Sequence, residues 1–232
     1  MIKAAIFDMF ETLVTMFQGR TYYSEDMAAD VGVDPERYRA VWHQTDRDRT
    51  LGKMTTLEGI RKTLEVLGVD GEAEAEKLFE KRLAALGDTF SAIPEESLAL
   101  LAALRARGVR IGLITNTFSD ERDLIRGCAL FPYFDAVRIS CEEGVRKPDR
   151  AMYLSLMAQL QAAPEECLYV GDGGSRELYT ARDLGMHAVQ AAWFRTLAFE
   201  PHIPCPMLPE FPQAMRQEDV LGYLDLDVRK FT

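Results

Sequence analysis

Three short segments share one pattern: an uninterrupted apolar run, a polar or small residue at its end, then the start of a helix. They are "AAIFD" at residues 4–8, "RIGLITN" at 110–116 and "CLYVGD" at 167–172. A strand with one wet face alternates apolar and polar residues. A run that does not alternate suits a strand buried on both faces, as in a parallel sheet covered by helices. Between the second and third runs, "FSDERDLIRGCAL" and "DRAMYLSLMAQLQA" read as helices, and "FDAVRIS" at 134–140 and "HAVQAAWF" at 187–194 read as further strands. This alternation, from about residue 98 to 194, predicts an α/β fold built on a doubly wound parallel sheet.

Residues 16–90 read differently. "SEDMAADVG", "DPERYRAVWHQTDRDRTLG", "TTLEGIRKTLEVLG" and "GEAEAEKLFEKRLAALG" have helical period and end in Gly. Ser24 and Asp34 suit N-cap positions, and Pro35 suits a first helical turn. An all-helical insertion of about four helices is therefore expected after the first strand. The expected division is residues 1–15 with 91–232 as the α/β core, and 16–90 as a separate helical domain. Beyond Phe194, the prolines at 201, 204, 206, 209 and 212 mark a surface segment leading to a short final helix or strand.

The chain's 232 residues, 47% of them apolar, can bury a sizeable core. A net charge of −10 argues against nucleic acid or an anionic membrane as partner. No apolar run approaches the roughly 18 residues that cross a bilayer, and "MIKAAIFD" does not read as a signal peptide. The four cysteines, Cys128, Cys141, Cys167 and Cys205, form no CxxC pair and read as free thiols of a reducing compartment. A cytoplasmic location is expected.

Ligands of open α/β sheets bind beyond the carboxyl ends of the strands. Asp8, Thr115 and Asp172 fall at such ends, and Lys147 lies in the loop "EEGVRKPDR" after another strand. One point can thus receive two carboxylates, a hydroxyl and an ammonium. Gly173 and Gly174 permit a tight turn after Asp172, and Glu177 adds a further acid.

These residues, in this order, resemble the motifs of the haloacid dehalogenase superfamily, and the likeness covers nearly the whole chain. The first motif reads Asp8-Met9-Phe10-Glu11-Thr12, the second ends "LITN" at Thr115 and Asn116, the third is Lys147-Pro148, and the fourth is "GDGGSRE" with Asp172 and Glu177. The resemblance implies a Rossmann-like core with the helical insertion as a cap. It implies Asp8 as a nucleophile forming a covalent ester, Thr115 bonding the transferring group and Lys147 balancing its charge. Thr12 and Asn116 complete the candidate catalytic set. Mg²⁺ would be held by Asp8, the main-chain carbonyl of Phe10 and Asp172, with Glu177 orienting the metal's waters. Arg20 and Lys53, near expected hinge or turn positions, are the candidate substrate contacts. The implied activity is hydrolysis of small phosphorylated metabolites through a phospho-aspartate, by a monomer or homodimer.

One position departs from the phosphatase pattern. Family phosphatases carry a second Asp two residues after the nucleophile, where this chain has Phe10. Family enzymes acting on 2-haloacids have an aromatic there and no metal, because halide leaves unprotonated. Gly171-Asp172 points the other way, since a cluster of carboxylates repels itself without a cation. Metal-free dehalogenation of a 2-haloacid is therefore the alternative, and a phosphate-binding protein without turnover is a third reading. Alternation along the strand turns Glu11 away from Asp8. Tyr38 and Trp42 read as helix core, Arg47 and Arg49 as a solvated face, and His43, His187 and His202 as structural.

Overall fold

The computed structural model describes residues 1–19, 21–69 and 71–225. Arg20, one of the two candidate substrate contacts, lies outside the described residues. The chain begins with strand β1 (Ala4–Phe7) and then enters helices α1 (Ser24–Asp30), α2 (Pro35–Trp42), α3 (Asp46–Thr50), α4 (Thr56–Leu67) and α5 (Glu72–Ser91). It continues through α6 (Glu95–Ala106), β2 (Arg110–Thr115), α7 (Ser119–Gly127), β3 (Ala136–Ile139), α8 (Ser140–Glu143) and α9 (Arg150–Leu160). Strand β4 (Cys167–Gly171), α10 (Glu177–Asp183), β5 (His187–Ala191) and the two-residue β6 (Gln213–Ala214) follow.

The six strands form one parallel sheet in the order β3-β2-β1-β4-β5-β6. The three non-alternating runs and the two further segments read as strands all form strands of this sheet. Every residue of β1 and β4 is buried, which is why neither run can carry a polar residue before its end. One face packs Phe7, Leu101, Ile111 and Leu113 into an apolar layer. The other packs Ile6, Ile114, Tyr153, Leu156 and Tyr169 against α9 and α10. The strand order reverses between β1 and β4, and the crevice at that reversal is where open α/β sheets bind ligands.

Helices α1, α2, α4 and α5 bury a third apolar cluster of their own around Met27, Tyr38, Trp42, Ile60, Leu64 and Leu78. Helix α4 is bounded as its sequence suggests: Thr55 accepts from the Glu58 amide, Glu58 bonds back to the Thr55 N–H, and Gly68 closes the helix at φ 73°. Asp34 caps α2 by accepting from the Arg37 amide at 2.9 Å. Ser24 does not cap: it is the first residue of α1 and its hydroxyl donates to Glu25. The stretch from 34 to 52, which reads as one helix, is broken by a tight turn at His43–Thr45. There the Thr45 hydroxyl donates to the Trp42 carbonyl at 2.7 Å and competes with the helical ladder. Helix α5 runs past Gly87 to Ser91. A mid-helix Gly costs about 1 kcal/mol, and burial of Leu86, Thr89 and Phe90 on either side of it offsets that.

Among the described residues no helix is long and apolar enough to cross a membrane. The four cysteines are free. Beyond β5, the proline-rich segment leads to β6 and a final 3-10 helix at Gln217–Tyr223.

Gly112 marks a close strand–helix contact of the core. A Cβ there would lie 2.7 Å from Leu156 Cδ2 and 2.9 Å from Leu160 Cδ1. Gly112→Ala is expected to destabilise the protein by about 1–3 kcal/mol through overpacking, read as a lower urea midpoint with an unchanged slope.

Candidate active site

The strand ends bring Asp8, Thr115, Lys147, Asp172 and Glu177 together, as their positions in the sequence suggest. Asp8 follows β1 directly, and its amide donates to the Val170 carbonyl of β4 at 3.0 Å. This seats it on the central strand of the sheet. Lys147 is 3% exposed, and its Nζ lies 2.7 Å from Asp8 Oδ1 and 2.5 Å from Glu177 Oε2. The Asp8 carboxylate also accepts from the Met9 amide at 2.8 Å.

Glu177 opens α10 and is fully buried. It accepts from Lys147, from the Tyr169 hydroxyl at 2.9 Å and from the Gly173 amide at 3.1 Å. Its carboxylate occupies the space a side chain at 171 would need, because a Cβ on Gly171 would lie 2.0 Å from Glu177 Oε1. The glycine before Asp172 is thus a packing requirement of Glu177. The turn between them is strained: Ser175 and Arg176 sit at φ 52° and 55°, conformations costing about 1 kcal/mol or more each.

Asp172 is held by the Gly174 amide at 2.9 Å and by Gln190, whose side chain donates to its carbonyl at 2.8 Å. Oxygens of Asp8, Asp172 and Glu177 lie within 4.8 Å of one another. Burial and the neighbouring Asp8 charge push the Asp172 carboxyl up. Burial, opposed by Lys147 and reinforced by Asp8 and Asp172, pushes Glu177 up to about 8. Burial alone would lower Lys147, but the Asp8 and Glu177 carboxylates outweigh it and hold the ammonium above the usual lysine range. Three carboxyl groups thus face one cation. An all-oxygen set of this charge fits a hard divalent ion.

Asn116 does not face outward as a bystander. Its Oδ1 accepts from the Lys147 amide at 2.8 Å, while its Nδ2 donates to the Lys147 carbonyl and to the Ser175 hydroxyl, each at 3.2 Å. It ties the loops after β2, β3 and β4 to one another. The hydroxyls of Thr12 and Thr115 are buried with no hydrogen-bond partner among the described residues. Buried hydroxyls are rarely left so, and Thr115, at the end of β2, leaves its hydroxyl available to a bound polar group. Phe10 is half-buried, its ring meeting Phe90 edge-on at 6.0 Å. Lys53 is exposed on the turn between α3 and α4, and among the described residues it forms no ion pair with the strand-end cluster.

Several participants carry no sequence signal. Tyr169 and Gln190 lie inside strands and read as core. Arg49, expected on a solvated face, is fully buried, with its guanidinium 3.6 Å from the Trp42 ring and 4.0 Å from the Phe118 ring. Burial of so polar a group requires the space left by Gly59, where a Cβ would lie 2.6 Å from Arg49 Cδ. Tyr38 and Trp42 are core residues, as read. His43 and His202 are paired with Asp46 at 2.6 Å and Glu25 at 2.5 Å. Both also line a cavity of about 380 Å³ with Tyr23, Trp42, Arg82 and Phe118, between the helical segment and the chain leaving β1 and β2.

Glu11 leaves the strand at φ 55°. Its carboxylate accepts from the Thr15 hydroxyl at 2.6 Å and the Met16 amide at 2.8 Å. Burial raises it to about 7, against those two hydrogen bonds and with help from the Asp172 and Asp8 charges. A carboxyl raised by folding contributes stability fully below its ordinary value of 4.5 and loses it as pH rises through about 7. In chelator, the parent is expected to lose stability relative to Glu11→Gln between about pH 5 and 8, compared by urea midpoints at each pH.

A family model described as "Hydrolase: haloacid dehalogenase-like hydrolase" matches residues 2–185. Phosphoserine phosphatase of Thermus thermophilus is 37% identical over 95 residues, 40% of this chain and 38% of that protein. Glyceraldehyde 3-phosphate phosphatase of Methanocaldococcus jannaschii is 32% identical over 96 residues, 40% of this chain and 42% of that protein. The chain thus spans less than half the length of these curated relatives. A 2-haloacid dehalogenase structure from Pseudomonas syringae superposes with a TM-score of 0.66 at 23% identity, covering 97% of this chain and 98% of that one. At such identity the likeness is one of fold.

Proposed function

The chain belongs to the haloacid dehalogenase-like hydrolases, and from that premise we propose that it is a Mg²⁺-dependent phosphohydrolase of small phosphorylated metabolites. The observation that carries this reading is the cluster of Asp8, Asp172 and Glu177, whose oxygens lie within 4.8 Å of one another with Lys147 as their only ion-pair partner among the described residues. Displacement of halide by a carboxylate needs no such excess of negative charge. Two matched relatives are named as phosphatases, which agrees with this reading.

In the proposed reaction an Asp8 oxygen attacks phosphorus. The new O–P bond forms as the ester P–O bond breaks, and the electron pair leaves with the alcohol oxygen, which takes its proton from water. A second water then attacks the phosphorus of the phospho-aspartate, giving its proton to the hydroxide left by the first, and the P–O bond to Asp8 breaks, releasing phosphate and restoring the carboxylate. Lys147 neutralises Asp8 and the charge gathering on the transferring group. The free hydroxyls of Thr115 and Thr12 donate to its oxygens, and Asn116 holds the Lys147 loop. Asp8, the Phe10 carbonyl and Asp172 would hold Mg²⁺, with Glu177 orienting its waters, and the ion would supply charge neutralisation. Residues 16–90 act as the cap that selects the substrate, with Arg20 and Lys53 as its candidate contacts.

Phe10 supports a second reading. With no carboxyl two residues beyond Asp8, protonation of a poor leaving group is unassisted, at a cost of about 10²–10⁴-fold. Halide needs no proton, so hydrolysis of a 2-haloacid through an aspartyl ester remains the competing reaction.

A paired assay separates the two. Mg²⁺ is expected to raise the melting temperature and to support hydrolysis of para-nitrophenyl phosphate, with loss of both in chelator. Full activity in chelator, with chloride released from 2-chloropropionate, would establish the dehalogenase instead. Phosphate binding without either turnover would establish the non-catalytic reading.

Asp8→Asn keeps the shape of the side chain and removes the nucleophile. Turnover is expected to fall by about three orders of magnitude or more while the circular dichroism spectrum is unchanged. Retained turnover would defeat the covalent route.

A further inference from the structure

Helix α5 and the loop after β2 are joined by a buried charge cluster that the proposed chemistry does not use. Arg82 is 6% exposed. Its Nε donates to Asp120 Oδ2 at 2.7 Å and its Nη2 to Glu121 Oε1 at 2.6 Å. The two carboxylates lead in different directions. Asp120 is bonded by the Thr56 hydroxyl, so that arm returns to the helical segment. Glu121 accepts the Phe118 amide at 2.9 Å through its other oxygen, so that arm enters the loop holding Asn116. The Phe118 ring lies 5.8 Å from the Arg82 guanidinium and 4.0 Å from that of Arg49. Thr117 is fixed by its backbone N–H, which donates to the Ser140 hydroxyl at 2.9 Å.

We propose that Arg82 is a positioning residue: through Glu121 and the Phe118 amide it sets the loop in which Asn116 clamps Lys147, and so the ammonium that faces Asp8. The path is continuous on named contacts, from Arg82 to Glu121, to the Phe118 backbone, to Asn116, to both backbone polar groups of Lys147, and to Asp8 at 2.7 Å. Its physical basis is the expense of leaving a buried charge unpaired. The loop adopts this conformation because only there does Glu121 satisfy both the guanidinium and the Phe118 N–H. The helical segment thereby contributes to the order of the nucleophile's surroundings, besides walling the adjoining cavity.

The two arms allow a test that a merely structural cluster would not pass. Glu121→Gln weakens the arm entering the loop, and Asp120→Asn weakens the arm that returns to Thr56. Each is followed by hydrogen–deuterium exchange of peptides spanning residues 116–121 and 145–149. Glu121→Gln is expected to speed exchange in both peptides, and Asp120→Asn in neither. With para-nitrophenyl phosphate, Glu121→Gln is expected to lower kcat about tenfold to a hundredfold, as small misplacements of reacting groups do, with KM changed less than threefold. Asp120→Asn is expected to keep kcat within about twofold. Arg82→Lys, which keeps the charge without the two-pronged geometry, gives the Glu121→Gln pattern at smaller amplitude and serves if that variant fails to fold. Equal exchange around Lys147 in parent and variants, or equal effects of the two arms, overturns the proposal. The kinetic half rests on the phosphohydrolase reading; if the parent shows no phosphoester turnover, that reading fails by itself and the exchange data still decide this one.

Discussion

The buried ammonium of Lys147, shared by Asp8 and Glu177, is the contact on which the rest of the site depends. Burial and the charges of Asp8 and Asp172 favour protonation of Glu177, and the Lys147 ammonium opposes them. A lysine taken so far from water is tolerable only because its partners are fixed before it arrives. Glu177 is fixed by Tyr169 and the Gly173 amide, and Asp8 by the Met9 amide and its seat on β1. Asn116 fixes the lysine's own backbone. Each clamp comes from a different strand end, so the site exists only when β1, β2 and β4 are in register.

The same arrangement leaves work undone in ways that favour a ligand. Three acids face one base, and two buried hydroxyls, on Thr12 and Thr115, have no partner among the described residues. Backbone strain collects in the same place. Of the four non-glycine residues with positive φ among the described residues, Glu11, Ser175 and Arg176 flank the carboxylates. Such conformations persist where surrounding contacts over-determine them, and here those contacts are the hydrogen bonds of Glu11 to Thr15 and Met16 and of Ser175 to Asn116.

The helical segment is attached to the sheet by polar contacts as much as by apolar ones. Its own cluster around Tyr38 and Ile60 is separate from the two layers that cover the sheet. Across the boundary run Arg82 with Asp120 and Glu121, Thr56 with Asp120, and His202 with Glu25. Polar contacts of this kind demand specific geometry and lose much of their strength when it is disturbed, whereas apolar packing tolerates sliding. A boundary built from them favours one relative placement of the two parts.

The sequence by itself determined the sheet. A run buried on both faces has one composition available to it, and β1, β2 and β4 announce themselves by lacking alternation. The acids and the hydroxyl at their ends follow from the same logic, because the first polar residue after such a run marks where the strand leaves the core. Asp8, Thr115 and Asp172 were legible for that reason, while Lys147 and Glu177 needed the family's motif order. Tertiary structure alone decided what completes the site. Tyr169 and Gln190 sit in apolar strands and differ from core residues only in what their polar tips meet. Arg49 and Arg82 carry the composition of a solvated helix face, yet both are buried, because residues more than thirty positions away in the chain complete their surroundings: the Phe118 ring over Arg49 and the Asp120 and Glu121 carboxylates on Arg82. Local pattern records how a segment meets solvent on average. Whether one buried charge finds its counter-charge is a property of the assembled chain.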